Sequence, residues 1–482
     1  MAAARSSARA SRMREGARSF LRCTGIRRCL HGCAALGAVG CALPGPLALP
    51  GSTEVAAERG PEPARLELAV AELRHPLLSP RAISLDDGID PEEAALIAAI
   101  ANPELAAARA ERGEAEAGLL AAGLLPNPDF GAELLEPYGP NAGGLILSRT
   151  LSLSIDTATL VTRPARVATA RSEAARVDLG IAWQEWEVAE SARLDAVRLL
   201  ALRRRMALVA SELDFLEGTT RRLEASVARG DGTLQDLGVQ RAALEAARAV
   251  GRELETAESS AESALLAQMG LPPDAHLDLV PSPAGGDGSA PRATTDALVP
   301  VCLERRLDLE ALRRGYDAKE AALRQAVLEQ FPTLSIGVSH QRNEDDVRFL
   351  GGFVTVGIPA FDFAHAHVAL ALATRERLAR EYEARVLAVR QEIDALTRSR
   401  AIADRQLEQV DRSLPELAAL EHAERAAADR GDVDRVAYQA VRASLFELRM
   451  TREALVQARD ESAIGLEIAC GGRVDVLAEA RP

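Results

Sequence analysis

The chain has 482 residues, 48% of them hydrophobic but only 3% aromatic, and a formal charge of −14. So few aromatic rings argue against a β-rich globule or an aromatic-lined ligand pocket, whereas abundant Ala, Leu, Glu and Arg are the composition of long packed helices. The acidic balance has the wrong sign for a nucleic-acid binder, and eight arginines against one glutamate in the first forty residues leave the remainder near −21.

Residues 1–40 read as a secretory leader. Arg27 and Arg28 precede the apolar run from Cys33 to Gly40, which is too short to cross a bilayer and ends at Cys41 before a Pro/Gly-rich segment. Ala38-Val39-Gly40-Cys41 resembles a lipobox, the site at which a leader is cut before a cysteine that carries lipid, and makes Cys41 the candidate lipidation site. An ordinary leader cut near Ala48 is the alternative. Residues 41–90 form an N-terminal extension. No later stretch is long and apolar enough for a transmembrane helix, so any membrane crossing falls to strands.

The body is duplicated. Asn102-Pro-Glu-Leu-Ala-Ala-Ala-Arg109 recurs in outline as Arg306-Leu-Asp-Leu-Glu-Ala-Leu-Arg313, and Pro128 matches Pro332 at the same offset of 204. Gly230, in Ala-Arg-Gly-Asp-Gly, matches Gly431, in Asp-Arg-Gly-Asp-Val, at an offset of 201. Landmarks in one order at nearly one offset mark two homologous halves, 91–280 and 298–470, with a Pro/Gly/Ser-rich linker at 281–297 and a tail at 471–482. Each half opens with a helix, expected over 91–124 and 298–330. Two short alternating segments follow, expected at about 129–135 and 145–155, then at about 333–342 and 352–361.

A long helical region comes next in each half. As one helix, residues 165–228 would reach roughly 95 Å, a length that suits a rod or conduit rather than a globule. Glu/Arg pairs such as Glu224 with Arg229 are expected on its solvated faces. In the second half Ser413-Leu-Pro-Glu416 predicts an interruption, with Pro415 opening a new helix. The short segments carry the membrane argument. Leu145, Leu151, Leu153 and Ile155 share a two-residue period against Ser152, Ser154 and Asp156, and Leu334, Ile336 and Val338 alternate with Ser335, Gly337 and Ser339. One apolar face per strand is what a tilted barrel wall requires. Four strands cannot close a barrel, so several chains must pool them if they lie in lipid.

Together, Cys41, Asn102-Pro-Glu-Leu, Leu125-Pro-Asn-Pro-Asp, the repeat, the two hairpins and the glycine turns resemble the TolC-type outer-membrane efflux proteins. The resemblance runs over about 83–468. It implies a mainly α fold with a small β portion: two halves of long coiled helices, each with one hairpin, so that four strands per chain complete a barrel of about twelve in a homotrimer. It further implies a passive channel in outer-membrane lipid, docked through a periplasmic adaptor to an inner-membrane pump, with the resistance-nodulation-division type favoured. Arg229, Gly230, Gly232, Arg430 and Gly431 would be the adaptor-contacting tips; plain interhelical turns are the bland reading. Asn102-Pro-Glu-Leu with Leu414-Pro-Glu is most similar to the heavy-metal branch of that family.

Asp231, Asp236, Asp432 and Asp434 cluster near the tips, where symmetry would multiply them into acidic rings around an aperture. Helix capping is their other reading. His365-Ala-His367 is a weak metal signal, because two histidines so spaced diverge on a helix. No catalytic or cofactor-binding motif is recognisable, and neither enzyme activity nor a cofactor is expected. Cys302 and Cys470 are the only cysteines of the body, and spacing alone leaves their pairing open. A periplasmic coiled-coil structural lipoprotein or adaptor that never spans the membrane is the competing function.

Overall fold

The computed structural model describes residues 48–53, 63–83, 85, 87–140, 142–282, 294–358, 361, 364–430 and 435–473. The chain divides into two units after Glu58, and every element named here belongs to the second. The expected leader, Cys41, Gly431, Asp432 and Asp434 lie outside the described residues.

Before the first half, α1 (Pro63–Ala71) lies in the N-terminal extension. The first half contains α2 (Pro91–Ala101), α3 (Pro103–Gly123), β1 (Asp129–Leu135), β2 (Ser148–Asp156), α4 (Thr157–Ala228) and α5 (Leu234–Gln268). The second repeats the order with α6 (Thr295–Arg305), α7 (Leu307–Leu328), β3 (Thr333–Arg342), β4 (Arg348–Gly357), α8 (His365–Arg430) and α9 (Arg435–Cys470). At 1.5 Å per residue the 72 residues of α4 extend about 108 Å. It packs against α2, α3, α5, α7 and α9, while α8 pairs with α9.

The opening helix of each half is broken in two. In the first half Pro103 has no N–H to continue a helix, and Asn102 caps the new start by accepting from the Glu104 and Leu105 amides at 2.9 and 3.1 Å. In the second, the break at Arg306 has neither proline nor glycine. The first rod starts at Thr157, ahead of the expected 165, with Pro164 inside it, and Pro415, expected to open a new helix, lies inside α8. Pro415 and Asp411, whose carbonyl loses its partner, are both exposed, so water can satisfy the freed oxygen. The interruption expected at 413–416 is therefore absent.

Two strands start elsewhere than expected. β2 begins at Ser148 because the preceding residues serve the loops, where the Ile146 amide donates to the Glu344 carbonyl at 2.9 Å. β4 begins at Arg348, four residues early, because a tight loop closes right after β3. In it the Asn343 amide donates to the Val347 carbonyl, the Val347 amide donates back to Asn343 Oδ1, and Asp346 takes a φ of 67°. Gly352, the expected start, lies within the ladder opposite Val338. The rod's ion pairs also differ: Glu224 holds Arg241, and Arg229 holds Asp231.

The buried core is concentrated where the short helices meet the rods. Ile97, Ala98, Ala192, Ala196, Leu199, Leu265 and Met269 join α2, α4 and the end of α5. Leu298, Val389, Ile393, Leu466 and Ala469 join α6, α8 and α9, with the bonded pair Cys302–Cys470 among them. Both tryptophans of the chain, Trp183 and Trp186, are buried against α2 and the N-terminal segment.

Candidate functional site

The four strands make one antiparallel sheet in the order β1-β2-β3-β4, so each half supplies a hairpin and β2 pairs with β3 across the halves. Residues opposite one another in a ladder share a face. Phe130, Leu153, Val338 and Gly352 form one row, and Ala132, Leu151, His340 and Leu350 form the next. Ile155, Ile336 and Val354, then Leu334 and Val356, continue the same face toward the helices. The opposite face carries Gly131, Ser152, Ser339 and Gly351, flanked by Glu133, Thr150 and Gln341, with Phe349 and Phe353 of β4 as its large apolar members.

The apolar face is bare. Leu350 is 83% exposed, Ile336 48% and Val338 57%. A row of large apolar side chains on an uncovered face costs free energy in water and gains it in lipid. Pairing is also incomplete, since β1 and β4 each present one edge with no neighbouring strand in the sheet. Ten residues at about 3.3 Å each, tilted by about 40°, give β3 and β4 a height of roughly 25 Å, close to the apolar band of an outer-membrane barrel.

At the far end of the rod, α4 turns into α5 within a few residues. Gly230 has a φ of 82° and donates to the Val227 carbonyl, while Asp231 donates to the Ser226 carbonyl at 2.9 Å. These two bonds satisfy the orphan carbonyls of a helix end, and the left-handed backbone is why glycine stands there. Gly232 is spatially constrained, because a Cβ would come within 3.2 Å of Ser226 Oγ and Val227 Cγ2. Thr233 then caps α5 by accepting from the Asp236 amide at 3.1 Å, and its hydroxyl donates to the Asp236 carboxylate at 2.6 Å. Asp236 thus serves the cap, whereas Asp231 faces solvent beside Arg229 at 3.3 Å. Leu234, 78% exposed at this tip, was not singled out by sequence reasoning, although an apolar residue right after a capping threonine was its signal. Arg430 ends α8 and α9 begins at Arg435, the four residues between them lying outside the described residues.

Where the short helices meet the rods, the charges are buried and paired. Arg306, with only 2% of its side chain exposed, grips Asp308 through two hydrogen bonds, at 2.9 and 2.7 Å. It also donates to the Ala469 carbonyl at 2.7 Å and stacks on Trp183 at 4.4 Å. Burial works against ionised Asp308, yet Arg306 and Arg385 hold its carboxyl below the usual carboxylate range. Arg193 bridges Glu190 and Glu467, and burial pushes Glu190 upward despite that partner. These groups organise helix ends, and Glu190 and Arg193 also line a cleft together with Pro76, Trp186, Arg305 and Arg473. His367 lies 3.4 Å from Glu329 and is exposed, and no cluster of three potential metal ligands exists among the described residues. Nor is any described helix long and apolar enough to cross a membrane.

No family model and no curated protein matches the sequence. Solved structures do match the fold. CusC, described in terms of transmembrane channel formation, superposes with a TM-score of 0.66 at 16% identity, over 90% of this chain and 100% of its own. The outer membrane protein VceC of Vibrio cholerae gives 0.65 at 16% identity, over 80% and 96%. The CmeC outer membrane channel of Campylobacter jejuni gives 0.65 at 15% identity, over 90% and 95%. At this level of identity the shared property is architecture: the chain has the fold of the TolC-like outer-membrane channels.

Proposed function

We propose that this chain is the outer-membrane channel of a tripartite efflux system, a passive duct fed by a periplasmic adaptor and an inner-membrane pump of the resistance-nodulation-division type. The observation that carries the reading is the four-stranded sheet, mainly apolar on one face, mainly polar on the other outside β4, and open at both edges. Three chains pooling such sheets would close every edge, turn the apolar face to lipid and line a pore with the polar one. Leu387, Ile402 and Leu420, exposed along α8, support subunit packing. At 100° per residue Ile402 and Leu420 fall on one line, with Leu387 about 60° away.

The two tips, around Arg229, Gly230 and Gly232 and around Arg430 and Gly431, would dock the adaptor, with Leu234 as an apolar contact of the first. Asp231, Asp432 and Asp434 would ring the aperture; Asp236 is the weakest member of that set because it caps α5. Cys41 would carry lipid after leader removal. Asn102-Pro-Glu-Leu is explained as a helix junction without reference to cargo, so heavy-metal export rests on the resemblance alone.

The purified protein should migrate as a heat-modifiable trimer from outer-membrane fractions and conduct ions in planar bilayers. Leu153→Arg, on the apolar face, should cost about 2–4 kcal/mol of barrel stability if that face meets mid-bilayer lipid. A water-soluble monomeric rod would establish the periplasmic scaffold instead. Replacing Asp432 and Asp434 by Ala should alter single-channel conductance or cation selectivity, and unchanged values would remove the aperture assignment.

A further inference from the structure

The apolar face of the sheet ends in a line of arginines. Arg149, Arg342 and Arg348 stand opposite one another on β2, β3 and β4, on the face that carries Leu153, Ile336 and Val338. Their row is the next beyond Leu151, His340 and Leu350, at the strand ends remote from the helices. Directly opposed residues lie about 5 Å apart, and like charges so placed destabilise a sheet. Three guanidinium groups in register therefore call for an anion.

Within the chain that role falls to Asp346. Arg342 bonds to it directly, and Arg342, Arg348 and Arg149 together hold its carboxyl below the usual range. Among the described residues only Arg342 is ion-paired with it, and Arg348 and Arg149 act on it at longer range. Glu344 and Asp345 of the same loop make no ion pair with them. Beneath the arginines lie exposed apolar side chains, Leu151 and Leu350 first and then Leu153 and Val338. Cationic forks above an apolar slope match an amphiphile with an anionic head and hydrocarbon tails. Arginine's planar fork suits phosphate oxygens in particular, which it can bind bidentately.

We infer that Arg149, Arg342 and Arg348 form a binding site for the phosphate of a phosphorylated lipid in the outward leaflet around the sheet, with its acyl chains lying along Leu151, Leu153, Val338 and Leu350. The inference rests on the proposed placement of the sheet in a membrane.

The test uses the full-length protein in phosphatidylcholine nanodiscs doped with diphosphoryl lipid A or with the same lipid freed of phosphate, lipid retained after washing being counted by native mass spectrometry. Wild type should retain the phosphorylated form roughly tenfold over the other, as expected for charge-assisted contacts of about 1.4 kcal/mol in sum. The preference should vanish in the triple variant R149Q/R342Q/R348Q and persist in R377Q/R380Q, whose changes lie on exposed α8 sites. If the triple variant does not assemble, R149Q and R348Q singly, which leave the Arg342–Asp346 pair intact, should each lower the preference. Equal retention of both lipids by wild type, or a preference that survives these substitutions, overturns the site while leaving the channel standing. A wild-type protein that never enters the nanodisc overturns the channel and the site with it.

Discussion

The two halves build one junction with different chemistry. In the first, Asn102 sits at the helix break, caps α3 and donates from its Nδ2 to the carbonyl of Gln268, the last residue of α5. In the second, Arg306 sits at the equivalent break and donates to the carbonyl of Ala469, next to the last residue of α9. Each half thus ties its first helix break to the end of its own returning helix. A neutral amide does this once, whereas the other copy needs a buried guanidinium, its carboxylate partner, an indole to stack on and the Cys302–Cys470 bond. The two halves share the place of the fastening and differ in its chemistry.

Breaking the second fastening should have the larger effect. Cys302→Ser with Cys470→Ser opens a covalent loop of 168 residues, worth about 5 kcal/mol in the chain-entropy account. Denaturant midpoints under oxidising conditions measure it, and hydrogen exchange should place the loss in α6, α8 and α9 rather than around Asn102. Arg306→Leu comes next, at about 3–5 kcal/mol, because Asp308 would stay half-buried with Arg385 as its remaining close cation. Arg306→Asn sharpens the comparison by importing the first half's solution. If the junction needs only a cap, this variant should recover most of the loss; if it needs the paired charge, it should melt with Arg306→Leu.

Asn102→Ala should cost about 1–2 kcal/mol through the lost cap, and faster exchange of the Glu104 and Leu105 amides would report it. Asn102→Asp, which keeps the cap and loses the donor to Gln268, separates capping from fastening. The smallest effect concerns His75, which anchors the N-terminal segment beside Trp183. Its buried ring accepts from the Leu77 and Leu78 amides at Nδ1 and donates from Nε2 to the Ala182 carbonyl, the pattern of a neutral imidazole. Burial lowers its pKa from the ordinary 6.5, outweighing the Ala182 bond and Glu185. The folded state therefore binds fewer protons than the unfolded one, and stability declines as pH falls below 6.5. Amides around 75–78 should exchange faster at pH 5.5 than at 7 after intrinsic correction, and His75→Gln should abolish the difference.

Much of this was legible in the linear chain. Landmarks repeating at offsets near 200, the unbroken first rod, the glycine turn at Gly230 and two-residue alternation are each set by local chemistry: backbone freedom, helical propensity and the pleat. Other features depended on groups far away in sequence. The break at Arg306 has no proline or glycine to announce it, and besides Asp308 its anchors are the distant Trp183 and Ala469, while Pro415 remains in a helix because solvent, not sequence, receives the carbonyl it frees. The cysteine pairing, the cross-half ladder of β2 with β3 and the arginine row it creates exist only once the chain has folded, because register and proximity belong to packing rather than to any one segment.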